Sequence, residues 1–193
     1  MNDDVAPPVG PGRAPPTLHD VYRAEFRYVY QTVRRLGVRA ADTEDVVHDV
    51  FLAVSHRWSS YDPERPLKPW LFGVSFRVVS AHRRRHAYQR EVLGVDEPVA
   101  VDESSSPEAH AAGQQHRRLL DRGLDALADD RRAVFVLHEI DEVPVPEIAL
   151  ALEIPLGTAY TRLRLAREDF TAALRRLQAR PVAPPPPALR TAP

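Results

Sequence analysis

The chain is predicted to be all-α, built as two small helical domains joined by a flexible acidic linker, the second domain a helix-turn-helix. Three observations carry this prediction. Apolar residues recur at three- and four-residue steps through residues 18–90 and again through 129–179. Between these stretches lies an acidic segment without aromatics or periodicity. Near the end, two short apolar patterns meet at Ile154-Pro155-Leu156-Gly157-Thr158 and give way to an Arg-rich helix, the layout of a tight helix-turn-helix.

In chain order, the first helix opens with Thr17 as cap and Asp20 three residues on, and stops at Gly37. Leu18, Val21, Tyr22, Phe26, Val29, Tyr30 and Val33 form its packing face. A second helix begins at Asp42 and turns Val46, Val47, Val50, Phe51, Val54 and Trp58 inward, with Asp42, Asp45 and Asp49 stacked on the opposite side. That acidic stripe has two readings. Acids in a first turn complement the helix dipole, with Asp42 as the cap, whereas Asp49 lies beyond the first turn and suits docking against a basic partner helix.

The third helix runs from about Leu67 to beyond His86, with Trp70, Leu71, Val74, Val78 and Ala81 on its core face. Phe72, Phe76 and Arg77 lie away from that face, and Arg83-Arg84-Arg85 follow. Rings for stacking beside guanidinium groups for phosphates suit a single-stranded nucleic acid. The alternative for Trp70, Phe72 and Phe76 is that they fill core. His82 and His86 have the helical spacing of metal ligands, but the sequence places them among arginines with no nearby acid, so no metal and no cofactor are expected.

In the second domain, Val145 to Leu152 reads as a two-turn helix with Pro146 in its first turn, ended by a Pro-Leu-Gly break. Thr158 is expected to cap the next helix, which buries Ala159, Leu163, Ala166, Phe170, Ala173, Leu174 and Leu177. Tyr160, Thr161, Arg162, Arg164 and Arg167 then point outward, able to reach a groove of duplex DNA and its flanking phosphates. The bland alternative is a solvated face with Glu168 and Asp169 as intrahelical partners.

Composition bounds the rest. The 193 residues carry a net charge of −1, which hides an asymmetry: residues 18–95 hold 13 Lys/Arg against 9 Asp/Glu, while 96–116 hold 5 acids and no Lys or Arg. No cysteine is present, so disulfides and thiolate metal sites are excluded. Asp3 and Asp4 stand where a signal peptide needs positive charge, and no apolar run approaches a membrane span of about 18 residues. A cytoplasmic protein is expected. The expected division is a disordered Pro-rich tail over 1–16, a first lobe over 17–94, the acidic linker over 95–114, a second lobe over 115–179 and a second Pro-rich tail over 180–193.

With both lobes in view, the chain resembles a bacterial RNA polymerase sigma factor of the extracytoplasmic-function (ECF) group. Asp42-Thr43-Glu44-Asp45-Val46-Val47-His48-Asp49-Val50-Phe51 is similar to the family's core-polymerase-binding segment, and Trp70-Leu71-Phe72-Gly73-Val74 through Arg83-Arg84-Arg85 to its promoter-melting, minus-10-reading helix. Leu127 to Glu142, Pro146-Glu147-Ile148-Ala149 and Ile154 through Arg167 resemble the minus-35-reading lobe. Larger relatives carry extra domains, so the minimal two-domain group is expected.

The resemblance implies a non-enzymatic initiation factor. By it, Asp42, Glu44, Asp45, His48 and Asp49 meet the clamp of the polymerase beta-prime subunit, and Phe72, Phe76, Arg77, Arg83, Arg84 and Arg85 meet the melted minus-10 element. Thr158, Tyr160, Thr161, Arg162, Arg164 and Arg167 meet the minus-35 duplex of promoter DNA, and an anti-sigma factor is a further implied partner. Some positions depart from the family pattern. His48 replaces a usual Gln, Arg77 a usual Asn, Tyr160 a usual Lys or Arg, and Leu165 a usual Arg, while Pro144 and Pro146 replace Ser and Glu. Arg77 offers donors only where an amide offers donor and acceptor, so base preference there should differ. The rivals are a regulator with an effector or receiver lobe, which residues 18–90 disfavour by giving helical spacing only, and a decoy held by an inhibitor.

Overall fold

The computed structural model describes residues 17–93 and 111–179, and among these every regular element is helical. Both expected Pro-rich tails and most of the expected linker lie outside the described residues.

The first unit is a three-helix cluster. Helix α1 spans Leu18–Arg35 and opens on the expected capping box: Thr17 Oγ1 accepts from the Asp20 amide while Asp20 accepts from the Thr17 amide. It ends at Leu36, and Gly37 takes a φ of 87°, the left-handed conformation that lets Val38 N–H reach the Val33 carbonyl at 3.3 Å. Helix α2, Ala40–Arg57, starts two residues earlier than expected. Arg39 rather than Asp42 is its N-cap residue, and Asp42 sits in the first turn, accepting from Arg39 Nε at 2.9 Å. A 3₁₀ turn, Trp58–Ser60, follows. Helix α3, Leu67–Leu93, packs against both α1 and α2.

Because α3 is covered from two sides, its buried face is wider than a single stripe. Leu71, Phe72, Val74, Ser75 and Val79 are all buried, whereas Trp70, Val78 and Ala81, expected to point inward, are half-buried. Ser75 satisfies its hydroxyl on the Leu71 carbonyl at 2.8 Å. On α2, Val46, Val47, Val50, Phe51 and Val54 are buried as expected, whereas Trp58, also expected to point inward, falls in the 3₁₀ turn and is half-buried. Each buried valine contributes about 1.5–3 kcal/mol by removal from water. On α1, Val21, Val29 and Val33 are core, but Tyr22 and Phe26 remain 46% and 39% exposed, lying over Phe51 at ring distances of 4.7 and 6.2 Å. Trp58, Tyr61 and Trp70 form a second aromatic group.

The second unit holds α4 (Ala111–Asp125), α5 (Asp129–Phe135) running into a π-helical turn (Val136–Ile140), α6 (Val145–Ala151) and α7 (Leu156–Ala179). Helix α4 thus begins inside the stretch expected as linker. Ala133 through Leu137 form an unbroken buried run, and α7 packs against α5 and α4. Phe170 of α7 lies 4.6 Å from the Phe135 ring, and a methyl group on Gly123 would stand 2.4 Å from its edge, so glycine is what admits that ring beside α4. Both Glu142 (φ 57°), before α6, and Glu153 (φ 55°), after it, occupy the left-handed region usually given to glycine.

Two expectations about the α6–α7 turn need correction. Thr158 does not cap α7: the helix starts at Leu156, Pro155 offers its carbonyl to the Ala159 amide at 3.1 Å, and Thr158 lies within the first turn. Gly157 is likewise helical and not the break. Glu153 makes the turn, with Ile154 N–H bonded to the Ala149 carbonyl at 2.9 Å. Pro144 opens α6 with its carbonyl alone, taking the Glu147 and Ile148 amides at 3.0 and 3.1 Å.

Candidate nucleic-acid and protein-docking surfaces

On α7 the apolar spacing of Ala159, Leu163, Ala166 and Ala173 buries one stripe, while Phe170, Leu174 and Leu177 are half-buried. The remaining positions of the first three turns then face solvent: Tyr160 is 54% exposed, Thr161, Arg164 and Arg167 are exposed, and Arg162 and Thr158 are half-buried. Thr161 Oγ1 bonds back to the Gly157 carbonyl at 2.9 Å. Each arginine of this face is engaged by an acid. Arg164 pairs with Glu168 one turn on at 2.6 Å, Arg162 with Asp130 of α5, and Arg167 with Glu139 of the π turn at 2.6 Å. Asp169, expected as an intrahelical partner, instead pairs with Arg131 of α5. These pairs are substantially exposed and hold side-chain geometry more than they stabilise the fold.

Arg132 is different. It is 3% exposed, bonded to Asp125 at 3.0 Å, and its Nε and Nη1 are buried without hydrogen-bond partners. Burial pulls this guanidinium below its ordinary range, opposed by Asp125 and Asp121. Periodicity could not flag it, since an arginine in a helical run reads as surface.

In the first unit the acidic stripe of α2 divides. Glu44, Asp45 and His48 are exposed. Asp42 and Asp49 are turned toward α3, Asp42 Oδ2 lying 3.9 Å from His82 Nε2 and Asp49 Oδ2 3.8 Å from Arg85 Nη2. The triple arginine divides as well: Arg84 and Arg85 are exposed, whereas Arg83 is half-buried, reaching toward the Gly37 carbonyl at 3.4 Å. Phe76 and Arg77 are half-buried. Phe72 is fully buried, so the core-filling alternative holds for it and no base can stack on its ring in this conformation.

The expectation that no acid lies near His82 and His86 is also corrected. The two rings are 4.3 Å apart, and the fold brings Asp42 to them from α2. Burial and the neighbouring His86 hold the His82 imidazole below its ordinary value, opposed by Asp42. A neutral ring keeps a lone pair for bonding.

Residues 21–88 match the family described as Sigma-70 region 2, and residues 117–170 match Sigma-70, region 4. Helical units carrying these regions in this order define a DNA-binding factor for the initiation of transcription, not a classical enzyme. The chain belongs to the ECF group of RNA polymerase sigma factors. It is 28% identical to the RNA polymerase sigma factor CnrH of Cupriavidus metallidurans over 152 residues, covering 75% of this chain and 79% of that one. It is 26% identical to the ECF sigma factor SigW of Bacillus subtilis over 166 residues, covering 82% and 87%. Among solved structures, the sigma factor RpoE in complex with the anti-sigma factor NepR from Bartonella quintana shares the fold, with a TM-score of 0.61 at 20% identity, covering 80% of this chain and 94% of that one. Among the described residues no helix is long and apolar enough to cross a membrane.

Proposed function

We propose that this chain docks on the clamp of core RNA polymerase through the α2 stripe, holds the melted minus-10 strand with α3, and reads the minus-35 duplex with the first turns of α7. The observation that carries the reading is the solvent-facing row Tyr160, Thr161, Arg162, Arg164 and Arg167, set on a helix whose other side is core and preceded by a tight turn from α6. Such a row reaches phosphates and base edges together. Glu44, Asp45 and His48 are the exposed members of the docking stripe, with Asp42 and Asp49 behind them. For the melted strand, Phe76 is the ring left for stacking, Arg77 is the donor toward a base, and Arg84 and Arg85 are the donors toward its backbone, with Arg83 at their edge. Thr158, half-buried in the first turn of α7, supports that helix's entry into the groove.

Two weak contacts on one chain act as one strong contact, because the connecting segment sets a high effective concentration for the second. The factor works where its polymerase works, in the cytoplasm. An anti-sigma partner is proposed on the precedent of the RpoE–NepR complex.

In vitro transcription with core polymerase and genomic DNA tests the proposal. Discrete start sites are expected with wild type, and Arg162→Ala should lower initiation at least tenfold while leaving polymerase binding intact. Failure of wild type to start RNA synthesis at any site would overturn it.

A further inference from the structure

His82 and His86 stand one turn apart on α3, the spacing that places two imidazoles on one helix face. Helix α2 supplies the third group. One ligand atom each from Asp42, His82 and His86 lie within 4.8 Å of one another. Two imidazole nitrogens and a carboxylate oxygen suit a borderline divalent ion, with bonds of about 2.0–2.2 Å. Tetrahedral bonds of that length put ligand atoms about 3.3 Å apart, so closing the site takes roughly an ångström of side-chain rotation.

The surroundings favour closure. Arg39 Nε donates to Asp42 Oδ2 at 2.9 Å and so orients the carboxylate, which has lone pairs to spare for an ion. Arg85, the guanidinium three residues from His82, is drawn to Asp49 at 3.8 Å. All three groups are half-buried, leaving an open side from which an ion can enter and a water can complete four-coordination.

We propose that Asp42, His82 and His86 form a site for a divalent transition ion of the zinc class, tying the start of α2 to the rear half of α3. Asp42 also belongs to the stripe assigned to polymerase, so ion and polymerase compete for it; this coupling rests on the docking reading above, whereas the site itself does not.

The test is optical titration of the tag-free full chain with Co(II), followed by displacement with Zn(II). One saturable equivalent with visible d–d bands is expected, together with a melting temperature raised by several degrees in excess zinc. His82→Ala and His86→Ala should each weaken binding at least tenfold, as should the nearly isosteric Asp42→Asn, whose helical content is checked by circular dichroism; His56→Ala should bind as wild type does. Absence of saturable binding, or equal binding by the His82→Ala/His86→Ala double variant, would overturn the site. Zinc should also weaken polymerase capture severalfold in wild type and not in His82→Ala. Unchanged capture in wild type would overturn the coupling, and the optical titration decides the site independently.

Discussion

Glu139 holds Arg167 by two nitrogens at once, its Oε1 lying 2.7 Å from Nε and 2.6 Å from Nη2. The carboxylate comes from the π turn that follows α5, and the guanidinium from the outward face of α7. A phosphate approaching that face must displace a partner already in place.

Glu139→Gln should therefore strengthen binding of the full chain to nonspecific duplex DNA by about twofold to fivefold, the range an exposed pair is worth. The salt dependence of binding should steepen by up to about one counterion. Fluorescence anisotropy between low and moderate salt measures both. Unchanged affinity and slope would mean that Arg167 does not meet phosphate.

Thr32 is fully buried on α1 and its hydroxyl has no hydrogen-bond partner. Thr32→Val keeps the shape and removes the unsatisfied group, so it should stabilise the first unit by about 1 kcal/mol. Thermal unfolding should show a transition several degrees higher. A lower transition would indicate a partner for the hydroxyl.

Glu142 sits at a φ of 57° with its side chain exposed. The left-handed conformation costs a side-chain-bearing residue about 1–2 kcal/mol, part of which glycine returns as extra freedom in the unfolded chain. Glu142→Gly should thus raise stability by up to about 1 kcal/mol, and Glu142→Val should lower it. Denaturant midpoints of the two variants give the comparison.

Burial pushes the Glu25 carboxyl above its ordinary value, with Lys68 opposing. Between the unfolded and folded values the native state binds more protons, so this group's contribution is full at acid pH and is lost as pH rises through the folded value. Glu25→Gln should remove that slope and be slightly more stable than wild type at neutral pH. Stability measured from pH 4 to 8 decides it; an identical slope in both proteins would rule Glu25 out as the source.

The sequence exposed the fold where one helix face meets one neighbour. The Val46, Val50 and Val54 stripe and the Thr17–Asp20 box were legible because each depends on residues three or four apart. It failed on α3, where packing from two sides buries Phe72 along with Leu71 and spoils a single-stripe count. It failed again at the α6–α7 turn, where the Pro155-Leu156-Gly157 run was expected to make the break. Glu153 makes it instead, and Gly157 goes into the helix. The outward row of α7 could be read from spacing, but its acid partners on α5 and the π turn could not. Nor could the meeting of Asp42 with His82, forty positions away, because proximity across helices leaves no local trace.

The wedge of Phe170 between Phe135 and the bare backbone of Gly123 has a mechanical consequence. It fixes α7 near its middle, and Ala159, Leu163 and Ala166 seat the turns before it against the core, so the helix behaves as a rod supported along its length. Enlarging residue 123 or trimming residue 170 shifts one of those supports and with it the direction in which Tyr160 points. The aim of the outward row is thereby set by residues that never touch what it reaches for.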